Sequence, residues 1–377
     1  MAPLVHETVL TASSKAFRPP RQHHRIDLAP CSLSMQIGLI CEQLGVHERR
    51  FAAAFAEAGH EVLALTKSLV SDPSVLGTIE SELAAQRGLL FGGPLAACAP
   101  WASPHRNLPM VAVSYAFDVL LQAAEDPAEA AIIRQVLAHA DGLVTDCRTV
   151  RDACLGMMGG RAIPTACVPW GLDRYASTNS GAVRAQRSGT GHVFISLRNF
   201  TPLHGVTDTV QAFASVSRKL PSARLILAGS GPGDPDLRGL AHDLGIQSRV
   251  DFPGSIAETE IPALLNQADI YVSSSRVDGV SISMLQAMDA GLPLILSDVG
   301  GNREIAREDG PIWKYPAGNA TALASAMLEC PGRNPGNSDP WRKYLRQHAD
   351  WQTNRNVIVR LCESTAASYW KRTPEAS

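Results

Sequence analysis

From Met35 onward the chain alternates short apolar runs with longer amphipathic stretches. No other feature constrains the fold as tightly. An apolar run too short for a helix reads as a strand buried on both faces. Amphipathic stretches between such strands supply the covering helices and the crossovers of a parallel sheet. Met35 to Cys41, Glu61 to Thr66, Met110 to Ser114, Gly142 to Thr145 and Ile163 to Val168 read as strands. Val46 to Ala58 reads as a helix closed by Gly59. Asp126 and Pro127 read as an N-cap with proline at the first helical position, opening a helix to about Ala140.

The texture changes at residues 174–191, which are rich in Ser, Gly, Thr and Asn and have no apolar period, the mark of a linker. The alternation then restarts. His192 to Ser196, Arg224 to Ala228, Val250 to Phe252, Ile270 to Ser273 and Leu294 to Ser297 read as strands. The expected fold is α/β, with two Rossmann-like domains, 35–173 and 192–340, facing a central cleft. Residues 341–377 read as C-terminal helices. Both a surface helix and one that packs back on the first domain fit their pattern. Residues 1–34 hold a basic, aperiodic segment from Lys15 to Arg25 without the long apolar core of a secretory signal, and read as a disordered extension.

The formal charge of −2 argues against a protein that binds nucleic acid backbone. No apolar run approaches the roughly 20 residues of a membrane span. The eight cysteines form no C-x-x-C pair and read as buried thiols of a reducing, cytoplasmic compartment.

The segment from Asp269 to Met288 carries the most chemistry. A strand ends near Ser273, Gly279 marks the tightest point of a loop, and a helix starts near Ser281. The free N–H groups of a helix start favour a phosphate, and a glycine lets the backbone approach it. Asp278 in the loop and Gln286 in the first two helical turns are placed so that one faces a sugar and the other a ribose.

This segment resembles the family 4 glycosyltransferases, whose hallmark is a Glu, seven residues, and a second Glu within L-E-A-M-A-x-G-x-P. Here Asp278 and Gln286 stand at the two acidic positions, followed by Ala287, Met288, Gly291 and Pro293. Leu227 to Pro232, Leu244 to Gly254 and Ser297 to Glu304 resemble further family segments. The family's Arg and Lys clamp on the donor diphosphate corresponds to Arg198 and His204. In the first half, Gly38 to Gly45 resembles the opening strand and acceptor-side loop. Tyr115 stands at a family His position, Asp118 is kept, and Val168 to Asp173 resembles the end of the first domain.

The resemblance implies the GT-B fold and a retaining, metal-independent transfer from a UDP- or GDP-linked sugar to a hydroxyl of a small-molecule or saccharide acceptor. It implies no cofactor beyond the nucleotide-sugar co-substrate. Donor-binding positions would be Arg198, His204, Gly229, Ile256, Asp278, Gly279, Val280, Ser281, Ile282 and Gln286, with Arg198 and Asp278 catalytic. Gly45, Tyr115 and Asp118 would lie on the acceptor side. Glutamine at 286 cannot make charge-assisted bonds, so Gln286→Glu is expected to tighten donor binding by roughly 1 kcal/mol. A His204 charged beside the diphosphate would make donor affinity fall as pH rises. A degenerate subunit that binds nucleotide or a partner without turnover is the alternative, motivated by positions 115, 204 and 286. Asp234 and Asp236 form a D-x-D pattern that reads as helix capping, and His47 to Arg50 as a solvated helix start.

Overall fold

A computed structural model describes residues 34–69, 73–173, 192–305, 310–332 and 339–373. The expected N-terminal extension, up to residue 33, and the linker at 174–191 lie outside the described residues. Two six-stranded parallel sheets form the frame. The first holds β1 (Gln36–Cys41), β2 (Glu61–Thr66), β3 (Leu89–Gly92), β4 (Met110–Val113), β5 (Gly142–Thr145) and β6 (Thr165–Cys167), in the order β2-β1-β3-β4-β5-β6. The second holds β7 (Val193–Ser196), β8 (Arg224–Leu227), β9 (Val250–Asp251), β10 (Ile270–Ser273), β11 (Leu294–Ser297) and β12 (Ile312–Tyr315), in the order β12-β11-β10-β7-β8-β9.

Helices cover the sheets as the amphipathic stretches require. The first domain carries α1 (Val46–Glu57), α2 (Pro73–Ala85), α3 (Pro127–His139) and α4 (Arg148–Met157). The Asp126 side chain caps α3 by accepting from the Ala128 N–H at 2.8 Å. The second domain carries α5 (Val206–Lys219), α6 (Asp234–Asp243), α7 (Ile261–Leu265), α8 (Ile282–Asp289), α9 (Gly300–Ile305) and α10 (Ala320–Glu329), followed by α11 (Asp339–His348) and α12 (Trp351–Arg372).

Helix α12 returns to the first domain, packing on α1, β3, β5 and β6. It buries Trp351, Ile358, Val359 and Cys362 among Phe51, Phe55 and Phe91. Trp370 Nε1 donates to the Gly88 carbonyl at 3.2 Å, which ties the end of the helix down. A further apolar cluster runs across the interface, where Val280, Met284 and Ile305 join Ala116, Val119 and Val150. Seven cysteines fall among the described residues, all free and six of them buried. No described helix is long and apolar enough to cross a membrane. Asp234 pairs with Arg238 at 3.0 Å within α6 and does not cap it.

Candidate active site

Ligands of open parallel sheets sit where the strand order reverses. In the second sheet that point lies between β7 and β10. The segments leaving these two strands carry Arg198 and Asp278, so topology alone brings the two together. Arg198 Nη2 lies 2.8 Å from Asp278 Oδ2. Arg198 Nη1 donates to Ser283 Oγ at 3.3 Å, and Ser283 Oγ shares a 2.9 Å hydrogen bond with the Tyr271 hydroxyl. Arg198 is buried, and its Nε has no partner. Burial raises the Asp278 carboxyl above the usual carboxylate range, with Arg198 opposing the shift.

Glycines let the backbone close around this pair. A Cβ on Gly229 would run into the Arg198 carbonyl, so the turn after β8 can seat against the Arg198 loop only as glycine. Gly279 faces the Asp146 carboxylate from the first domain in the same way. Ser281 caps α8 by accepting from the Met284 N–H at 3.4 Å. Ile282 packs against the apolar cluster of the first domain, and Ile256 is half-buried against the core. The Val280 N–H, expected to face the donor, already donates to Asp146 Oδ2 at 2.8 Å.

Two donor-side expectations change in detail. The His204 ring shares a 2.8 Å hydrogen bond with Thr201 Oγ1. Burial, then the nearby Arg198, lowers its pKa to about 3. Burial and Arg198 thus favour the neutral ring, while the charged His204 expected from the sequence depends on a diphosphate beside it. Gln286 lines a small cleft together with Asp173, Glu258 and Asp289. It sits among carboxylates, a setting that the linear motif does not reveal.

On the first domain, Gly45 and Tyr115 meet around Glu48. The Tyr115 hydroxyl donates to Glu48 Oε1 at 2.8 Å, while a Cβ on Gly45 would crowd Glu48 Oε2. His47 stacks on Tyr115 with ring centroids 5.7 Å apart and lies 5.8 Å from Trp170. Burial lowers the His47 pKa to about 4, with Arg50 contributing. Arg50 sits over the Trp351 ring at 4.3 Å and donates to the Gly171 carbonyl at 3.0 Å. His47, Glu48 and Arg50 are thus partly packed, where the sequence suggested a solvated helix start, while Val46 and Arg49 remain exposed. Asp118 corrects the sequence reading more fully. It is wholly buried and accepts from the Leu95, Tyr115 and Val119 N–H groups and from Ser114 Oγ. A carboxylate so engaged braces the first domain and does not face an acceptor.

Sequence reasoning did not single out Glu48 or Asp146, which the structure places in contact with Tyr115 and Val280. Glu48 was hidden in a charged run. Asp146 directly follows an apolar strand, which is the signal that could have drawn attention to it.

Residues 183–331 match the family described as Glycosyl transferases group 1. That match covers most of the second domain and none of the first. Over 182 residues this chain is 30% identical to a GDP-mannose-dependent alpha-(1-6)-phosphatidylinositol monomannoside mannosyltransferase of Mycobacterium tuberculosis, covering 45% of this chain and 47% of that protein. The chain thus spans about half the length of that curated relative. A glycogen synthase of the same species is 26% identical over 294 residues, covering 73% of this chain and 69% of its own. Among solved structures, Anabaena Alr3699/HepE in complex with UDP superimposes with a TM-score of 0.70 at 18% identity, over 88% of this chain and all of that one. Sucrose-phosphate synthase from Thermosynechococcus elongatus gives 0.71 at 18% identity, over 89% of this chain and all of its own. The two domains together form the two-sheet GT-B fold.

Proposed function

We propose that the protein is a family 4 glycosyltransferase. It moves a sugar from a UDP- or GDP-linked donor to a hydroxyl of a small-molecule or saccharide acceptor, with retention and without a metal. The observation that carries this reading is the buried Arg198, with an unpartnered Nε, paired to Asp278 beside the start of α8. A buried guanidinium with a spare donor is a seat for a phosphate. The helix start adds backbone donors of the same preference.

Breaking the bond between the anomeric carbon and the diphosphate leaves negative charge on the departing group. Groups already aimed there stabilise it without reorganising. Arg198 and the N-terminal turn of α8 supply the opposing positive charge. As the diphosphate engages Arg198, the Asp278 carboxylate is freed from its ion pair to accept from hydroxyls of the sugar. In a retaining reaction the acceptor hydroxyl attacks on the face that the diphosphate leaves, and a phosphate oxygen takes its proton. Gln286 is assigned to the ribose.

The test is a thermal-shift screen of the purified protein against UDP-, GDP-, ADP- and TDP-sugars, since a bound donor stabilises by mass action. It is followed by chromatography for the released nucleoside diphosphate. Stabilisation by one donor and its slow hydrolysis are expected. Stabilisation with no release, across several donors and acceptors, would favour the non-catalytic alternative.

A further inference from the structure

Two carboxylates cross the cleft in opposite directions. Asp146 directly follows β5 of the first domain, is 4% exposed, and accepts from the Val280 N–H of the second. Glu304, in α9 of the second domain, returns the contact at the first turn of α4. Its Oε1 accepts from the Thr149 N–H at 2.7 Å and from Thr149 Oγ1 at 2.9 Å, and its Oε2 from the Arg148 N–H at 3.2 Å. Each carboxylate thus sits at or just before a helix start of the other domain, where N–H groups lack intrahelical partners and the dipole favours an anion.

The Asp146 contact is fitted closely. A Cβ on Gly279 would collide with its carboxylate, and one on Gly301 would collide with Gly279 and Val280 from the opposite side. Asp146 Oδ1 has no hydrogen-bond partner. The neighbouring charge is that of Asp278, a carboxylate, which adds to the cost of ionising Asp146. A buried carboxyl held across the cleft by one N–H and locally by Cys147, with a like charge nearby, is a poor device for stability. It is well placed to control the turn. Gly279 alone separates Val280 from Asp278, so holding the Val280 N–H fixes the direction in which Asp278 leaves the backbone.

We propose that Asp146 is a positioning residue that sets the Asp278–Val280 turn in its reactive arrangement only when the two domains are closed, with Glu304 as the reciprocal catch. Asp146 acts through the backbone and does not touch the reacting atoms. The inference rests on the glycosyltransferase reading, and it makes closure a condition of correct Asp278 placement.

Steady-state kinetics, UDP and GDP calorimetry and small-angle scattering on the full chain test it. Asp146→Ala is expected to lower kcat about 30-fold, since small misplacements of a catalytic group carry losses of this order. The nucleotide Kd should stay within about threefold, because the second domain supplies that site. Asp146→Asn keeps an oxygen for the Val280 N–H, so it should recover most of the lost kcat. Should the Ala variant not fold, Asp146→Ser, too short to reach the turn, takes its place. The losses in Asp146→Ala and Glu304→Ala should not multiply in the double variant, because both report one closure. Independent multiplication, an unchanged kcat in Asp146→Ala, or a nucleotide affinity that falls as far as kcat would overturn the proposal. If the wild type transfers no sugar, the functional reading fails, but scattering still decides the clasp. The Asp146→Ala/Glu304→Ala chain should have a larger radius of gyration than the wild type, and equal radii would overturn it.

Discussion

Arg198 and Asp278 form a 2.8 Å ion pair at the point where the strand order of the second sheet reverses, with Arg198 shielded from solvent. Removing one member of such a pair leaves the other buried and uncompensated, which costs about 3–5 kcal/mol. Arg198→Ala should therefore lower the urea midpoint strongly. Arg198→Ala/Asp278→Ala should regain much of that loss. Equal midpoints in the single and double variants would show that the pair is not coupled in solution.

Gln286 shares its cleft with Asp173, Glu258 and Asp289. A glutamate introduced there meets like charges, which raise its pKa and weaken the gain from charge-assisted bonding to a ribose. The expected benefit of Gln286→Glu shrinks accordingly, to a change of less than about threefold in donor Kd by calorimetry. A tightening of about tenfold would show that the surrounding carboxylates do not act on position 286.

His204 is held neutral, its pKa lowered to about 3 from the ordinary 6.5 by burial and then by Arg198. Between these values the unfolded chain binds the proton and the folded chain does not. The contribution to stability is therefore complete above about pH 6.5 and is lost progressively as pH falls below it. His204→Gln should show a smaller drop in Tm than the wild type between pH 7 and pH 5. A parallel pair of curves would remove His204 from this role. The low value also confines any donor-linked protonation to acidic pH, so donor affinity should be nearly flat from pH 6.5 to 8.

Asp146 titrates in the opposite sense. Burial, then Asp278, pushes its pKa up to about 7 against the 3.8 of a free carboxyl, although the Val280 N–H pulls the other way. The folded chain keeps this proton where the unfolded chain has lost it. The stabilisation is complete below about pH 4 and is lost as pH rises through 7. Asp146→Asn, always neutral, should raise Tm relative to the wild type more at pH 8 than at pH 5. The reverse order would mean that Asp146 is ionised with an unrecognised cationic partner.

The frame of this molecule was largely legible because its strands are short apolar runs between amphipathic stretches, a pattern with one solution. Two strands were not. Leu89–Gly92 is only four residues long and runs into the glycine-proline turn at Gly93-Pro94. Ile312–Tyr315 carries Lys314, exposed on the edge strand β12. Neither shows a period long enough to read. Arg198, Asp278 and the start of α8 were legible for a different reason, since glycine turns and helix starts are local. What the sequence could not display is contact across the cleft. Nothing near Asp146 announces Val280, and nothing near Glu304 announces Thr149, because those hydrogen bonds join residues far apart in the chain. Asp118 misled for the converse reason. The family resemblance suggested a site, while its donors, among them the distant Leu95 N–H, draw it into the core.

A nucleotide-sugar seated at Arg198 and the start of α8 depends on that guanidinium. Calorimetric titration of the donor identified by thermal shift, into the wild type and into Arg198→Lys, tests it most directly. Lysine keeps the charge but not the planar fork, so saturable binding to the wild type and a Kd weakened by at least about tenfold in the variant are expected. Equal affinity in the two proteins would contradict it.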